Sequence, residues 1–355
     1  MKKTISLMLI VILVLTGTFF VSSVSANFTP LPELPTPIYI RSNGAVEGGG
    51  GAIKQTGNTY TFVRDINETI KIQKDNIILD GNGFSLTKPP KVKTEELMTP
   101  IGWFPSINIS YCDNVIIRNI KFDKCYTCIS VENSTNVVII QNIMRNADLG
   151  IFMTSCNHCN VIGNEIVDNA HSALNIMYSS YLNIAYNTIS RNHFHGGWVS
   201  TSYSNISRNN ITDNSFSHFG IGLYLYGPNS NNRFFENNFI NNEHGLFYQG
   251  SRGISVNNKV YSNYWSNYED DIVNVAADET SGVDQTPLES PISTSFDPAL
   301  FPSFASVPTA SPSEEVSELT AQQDYTAIIV VALAVISASS LAILIRYKSK
   351  RKSKL

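Results

Sequence analysis

The sequence predicts an all-β fold: a right-handed parallel β-helix, a solenoid of about eight coils, with a C-terminal transmembrane helix. Three observations predict it. An Asn-containing motif recurs about every 22 residues, apolar residues fall in short alternating runs with no helical period, and a charge-free apolar run lies near the C-terminus.

Taken from the N-terminus, Lys2 and Lys3 precede an apolar run from Ile5 to Val24, and Val24-Ser25-Ala26 has the small-residue pattern of a signal-peptidase site. Residues 1–26 are therefore expected to be a signal peptide, with an uncleaved anchor as the alternative. Residues 27–37 form a short leader, and 38–286 are expected to form the β-helix. Residues 287–325 are rich in Pro, Ser, Thr and Glu and read as a flexible stalk. The run 326–345 is long enough to cross a bilayer, and the basic tail "RYKSKRKSKL" (346–355) should stay cytoplasmic. The expected location is the cell membrane, single-pass, with the large domain outside.

A net charge of −4 and only 15% charged residues offer no basic surface, so a nucleic-acid partner is set aside. Sequons at Asn27, Asn67, Asn108, Asn133, Asn205 and Asn210 are glycosylation candidates, although an Asn-rich chain also acquires them by chance.

The segments "NEIVDNA", "NTISRNH", "NNITDNS", "NNFINNE" and "NKVYSNY" share Asn, any residue, an apolar residue, then Asn three places later. Their apolar members, Ile166, Ile189, Ile211, Phe239 and Val260, are joined upstream by Ile143 and Phe122. A second column alternates as a half-buried strand must: Ile107/Ile109, Ile129/Val131, Ile151/Met153, Leu174/Ile176 and Leu223/Leu225. One such unit cannot bury its own apolar face, so the coils are expected to stack, Ile on Ile. Ile77, Leu79 and Leu86 mark the first full coil, and 87–105 reads as an inserted loop. Asn146, Asn169, Asn192, Asn214, Asn242 and Asn263 are expected to take the left-handed corners and to stack their amides along the column.

"KDNIILDGNGFSL", repeats such as "NVVIIQNIMRNADLGIFM" and the closing "SNYWSNY" resemble the NosD-like, pectin-lyase-fold β-helix proteins, especially membrane-anchored archaeal surface members. The resemblance spans nearly all of 38–286. It implies copper as the first metal to try, and a calcium-binding ending where the family continues into an Asp-rich segment. This chain has "EDDIVNVAADETSGVDQTP" there instead.

The stretch "NHFHGGW" (192–198) reads as a coil corner, with Gly196 and Gly197 in the turn and Trp198 joining the core column of Leu174. Counted back from the first apolar residue of each strand, Asp148, His171, His195, His218 and His244 line up along one edge. Such a row suits a ligand, a transition metal on His171, His195 and His218, or plain stacking. Two CxxC motifs, Cys125/Cys128 and Cys156/Cys159, fall at different corners, which opposes one Cys₄ zinc site and leaves local disulfides, buried thiols or copper capture by "CNHC" with His158. The acids Asp113, Asp123, Asp148, Asp168 and Asp213 are scattered, with one tight group at Glu269-Asp270-Asp271. Tyr178, Tyr181, Tyr203, Tyr224, Tyr226 and Tyr248 offer rings for stacking on sugars.

The expected function is that of a surface-anchored β-helix with a cell-surface or extracellular polysaccharide as partner, or with a structural role. The alternatives are a polysaccharide lyase, hydrolase or epimerase, and a copper-binding or metal-delivery protein. No cofactor is required by the residues alone; copper and calcium are the candidates.

Overall fold

Apolar runs of three to six residues gain little by themselves and are stabilised by stacking on their neighbours. In the computed structural model each coil contributes one short strand to each of three parallel sheets. Residues 36–87, 105–214, 220–249, 257–266, 272–273, 284 and 286–301 are described. The expected signal peptide, transmembrane run, basic tail, Asn27, His218 and the acid group Glu269-Asp270-Asp271, and residues 88–104 of the inserted loop, lie outside them. Among the described residues there is no α-helix, and no helix long and apolar enough to cross a membrane.

In the long sheet the strands Ile70–Ile72, Pro105–Ser110, Thr127–Glu132, Leu149–Thr154, Leu174–Ser180, His195–Ser202, Ile221–Tyr226 and His244–Gln249 follow one another coil by coil. The N-terminal end is closed by Ile38–Ile40, which pairs with Ile70–Ile72, and by the antiparallel pair Ile53–Thr56 and Thr59–Phe62. This hairpin brings the fully buried Tyr60 and Phe62 to the end of the stack, the place where a solenoid needs covering.

The core is a set of columns. One runs Ile107, Ile129, Ile151, Leu174, Gly197, Leu223, Leu246. A second runs Phe122, Met144, Ile166, Ile189, Ile211, Phe239, Trp265. Two expected members are thus corrected. Met144 stands where Ile143 was expected, and Trp265 where Val260 was. Val260 stacks instead on Phe234 and Ile206 in a third column. For Val260 the cause is that a coil carries two similar five-residue units in tandem, as in "NISRN" and "NITDN" (205–214), so one motif seen once per coil can slip to its twin. Ile143 is one residue out because Asn146, three places after it, lies one residue before the stacked-Asn position, which Ala147 holds in this coil.

From Asn164 to Asn242 each unit of the two parallel series ends on a buried Asn, and this makes two ladders. Asn142, Asn164, Asn187, Asn209, Asn237 and Asn263 form one, and Asn169, Asn192, Asn214 and Asn242 the other. Asn187 is typical: its Nδ2 donates to Asn209 Oδ1 at 2.9 Å and Val161 O at 2.8 Å, while its Oδ1 accepts from the Asn164 backbone N–H at 2.9 Å. Two expectations change here. Asn263 belongs to the first ladder, and Ala147, not Asn146, occupies the second-ladder position below Asn169. The left-handed corner is taken by the residue before each ladder Asn, including Tyr186, Arg191, Arg208 and Asp213. Asp284 ends the first ladder, its Oδ2 accepting from Asn263 N–H and Trp265 Nε1 at 2.9 Å each.

Residues 286–301, assigned by the sequence almost wholly to a flexible stalk, instead run back along the outer wall as a strap. Leu288 N–H donates to Asn263 O, and Ile292 exchanges two hydrogen bonds with the Asn238 side chain. Phe296 and Phe301 then pack with Tyr186 against an apolar patch of Ile78, Ile116, Val138, Ile140 and Ile162. Gly163 is the point of closest approach, because a Cβ there would lie 2.6 Å from the Phe296 ring.

Truncating a ladder amide strands a buried donor and acceptors in the coils on either side. Asn187→Ala should therefore destabilise the domain by about 2–4 kcal/mol. The check is the urea midpoint of the full-length protein; an unchanged midpoint would show the ladder to be passive.

Candidate binding face

Glycine positions the residues of the outer face. In His195–Ser202 both Gly196 and Gly197 face the core, since a Cβ on Gly196 would meet Gly222 O at 2.4 Å and one on Gly197 would meet Leu223 Cδ2 at 2.9 Å. His195 and Trp198 flank this pair; His195 is buried against the outer rings, and Trp198 is half-buried on the outer side. Trp198, expected in the Leu174 column, is therefore corrected: Gly197 pairs with Leu174, and Trp198 pairs with Asn175 and Tyr224.

Successive coils place Phe152, Asn175, Trp198, Tyr224 and Phe247 in one outward row. Tyr224 lies parallel to Phe247 at 5.5 Å between ring centroids and to His195 at 5.3 Å. Trp198 meets Tyr224 and Tyr226 edge-on at 5.2 and 5.4 Å. All four rings of the row are half-buried, and Tyr226 beside them is exposed. Two polar atoms within this aromatic surface are buried without a hydrogen-bond partner, Asn175 Oδ1 and His195 Nδ1.

The expected edge row divides in two. Backbone hydrogen bonds of 2.9 Å stack His171 on Asp148 and Phe194 on His171, whereas His195 pairs with Ile221, and Ile221 with His244. The row had been counted from Trp198 as the first core residue. With Gly197 in that place the register moves by one, and Phe194 stands where His195 was expected. The Phe194 ring lies between the two imidazoles, 5.0 Å from His171 and 4.1 Å from His195. Tyr178 and Tyr203 lie away from the row, in a groove at the end of these strands.

Burial, with some help from the charge of His171, pushes the His195 imidazole down to about 4. Burial also lowers His171. The four CxxC thiols are buried at 2% exposure or less, and all four cysteines are free. The thiol contact with Cys128 lowers Cys125, while burial raises Cys128 well above the ordinary range.

A family model described as NosD, periplasmic copper-binding protein, matches residues 62–270. No curated protein sequence matches the chain. Among solved structures the chain is similar to the periplasmic alginate epimerase AlgG, at 11% identity over 72% of this chain and 81% of that one, with a TM-score of 0.32. It is similar to PfbA, a surface adhesin of Streptococcus pneumoniae, at 12% identity over 59% and 66%, with a TM-score of 0.35. A third likeness is to the catalytic domain of GH87 alpha-1,3-glucanase in complex with nigerose, at 12% identity over 64% and 57%, with a TM-score of 0.28.

A copper centre needs several imidazoles, thiols or carboxylates aimed at one point. Among the described residues no three His, Cys, Asp or Glu side chains converge. His171 and His195 occupy different rows, and the thiol pairs belong to the apolar core. These donors do not fit such a centre.

The depressed His195 carries a pH signature. Between about 6.5 and 4 the unfolded chain protonates this imidazole and the folded chain does not. Its contribution to stability is complete above pH 6.5 and is withdrawn as pH falls toward 4, by at most roughly 3 kcal/mol. The urea midpoint of the wild type should fall further between pH 7.5 and 4.5 than that of His195→Gln; equal falls would remove this assignment.

Proposed function

We propose, from the premise that the chain belongs to the NosD family, that it is an exported, membrane-held β-helix whose long-sheet face binds polysaccharide. The observation that carries this reading is the outward row Phe152, Asn175, Trp198, Tyr224 and Phe247. Aromatic rings that stay on the solvent side give up burial they would have gained in the core. A sugar ring has an apolar face that stacks on such rings.

Export and anchoring rest on the 1–26 and 326–345 segments. Among the sequons, Asn67, Asn133 and Asn205 are exposed on the folded domain and accessible to a glycosylating host. The hydrolase alternative needs two carboxyl groups poised about the scissile bond, and the aromatic row itself contains none. The metal-delivery alternative needs converging donors, which the described residues do not supply.

The detergent-solubilised full-length protein, titrated with soluble polysaccharides, should change its tryptophan fluorescence on binding, and Trp198→Ala should remove that change. Trp198→Ala and Tyr224→Ala should each weaken binding about tenfold, the loss of roughly 1.4 kcal/mol of stacking. Undiminished binding by both variants would remove the face from consideration, and release of new reducing ends or unsaturated sugars would replace binding with cleavage.

A further inference from the structure

One corner of the solenoid breaks its own rule. After the long sheet, the described coils pass through a left-handed residue, whose N–H at Asn76, Asn114 and Asn136 donates to a backbone carbonyl of the next coil. At Asn76, Asn114, Asn136, Asn231 and Asn257 it is asparagine, the residue that tolerates this backbone best after glycine. In three consecutive coils between them the same position carries His158, Tyr181 and Tyr203, all at φ of 55°. Their register is set by N–H donation from His158 to Ser180 O, from Tyr181 to Ser202 O and from Tyr203 to Ser230 O. Bulky side chains are disfavoured in this conformation, and these gain no core burial in return, since Tyr181 remains 49% and Tyr203 54% exposed.

What the substitution does produce is a ladder of rings. His158 stacks on Tyr181 at 4.8 Å and 10°, and Tyr181 on Tyr203 at 5.2 Å and 11°. Tyr178, also left-handed and 71% exposed, lines with Tyr181 and Tyr203 a groove of ≈ 300 Å³. Ser180, Ser202 and Pro228 contribute to its lining, and no charged side chain does. Local strain without a packing gain is a mark of function.

We propose that this groove is a second saccharide site, taking an uncharged sugar unit between Tyr178 and the Tyr181–Tyr203 edge. Its ligand class rests on the glycan-binding reading, but its residues are separate from the Trp198 row. An uncharged lining of tyrosine rings and hydroxyls matches a neutral pyranose and offers nothing to pair with a uronate.

The scaffold supplies its own control, because asparagine occupies this column elsewhere. The double variant Tyr181→Asn/Tyr203→Asn of the full-length protein in detergent is compared with the wild type and Trp198→Ala by calorimetry, using cellohexaose, chitohexaose and hexagalacturonate. The wild type should bind a neutral hexasaccharide at two sites. The double variant should lose one of them, at least tenfold in affinity, while keeping its Trp198 fluorescence response and an equal or higher thermal midpoint. Loss of the groove site alongside an unaffected Trp198→Ala would uphold the groove and sink the face. Three results overturn the groove: both sites intact in the double variant, a lowered thermal midpoint, or no saccharide binding left in Trp198→Ala. Equal binding of hexagalacturonate at the groove would overturn its neutral class. A wild type that binds none of the three probes would overturn the groove and the glycan reading together.

Discussion

The interaction on which the rest depends is the hydrogen bond from a buried asparagine amide to the asparagine one coil away. A parallel solenoid must turn its backbone sharply within every coil, and at those corners peptide groups point into space that water does not reach. The side chains of Asn164, Asn187 and Asn209 meet that need by bonding backbone N–H and C=O groups and each other. Because each amide serves two neighbouring coils, the ladder also specifies register. Register in turn decides which residues of a strand reach the core and which reach solvent.

This dependence explains what could be read from the chain. Ile166, Ile189 and Ile211 stack as their spacing predicts, because an apolar residue three before a buried Asn has one place to go. The paired column of Ile129 and Ile151 is equally plain. The outer face was hidden by a single residue: Gly197 holds a core position without a side chain to announce it, so Trp198 was counted in its place and the histidines with it. The strap was illegible for another reason. Its Pro- and Ser-rich composition argues against a core, and docking on an existing wall requires only a few rings such as Phe296 and Phe301. The second asparagine ladder left a signal, the tandem repeat of a five-residue unit within each coil.

The same architecture makes surface sites inexpensive to assemble. Residues more than 20 apart in sequence become neighbours at strand spacing, so Phe152, Trp198, Tyr224 and Phe247 form a patch although no local motif contains two of them. The core columns and ladders occupy the inward positions. Outward positions remain open to change, which is how one fold carries many activities.

The strap alters how the domain would respond to tension. A simple solenoid pulled from its last coil can peel one coil at a time, since each contacts only its neighbours. Here the chain leaves the end of the first ladder at Asp284, passes Asn263 and Asn238, and lies beside Gly163 and Tyr186 by the time it reaches Phe296 and Phe301. A force applied beyond Phe301 therefore enters at the middle of the stack and loads several coils in shear. The last coil, the weakest part of an unbraced solenoid, is shielded from the pull.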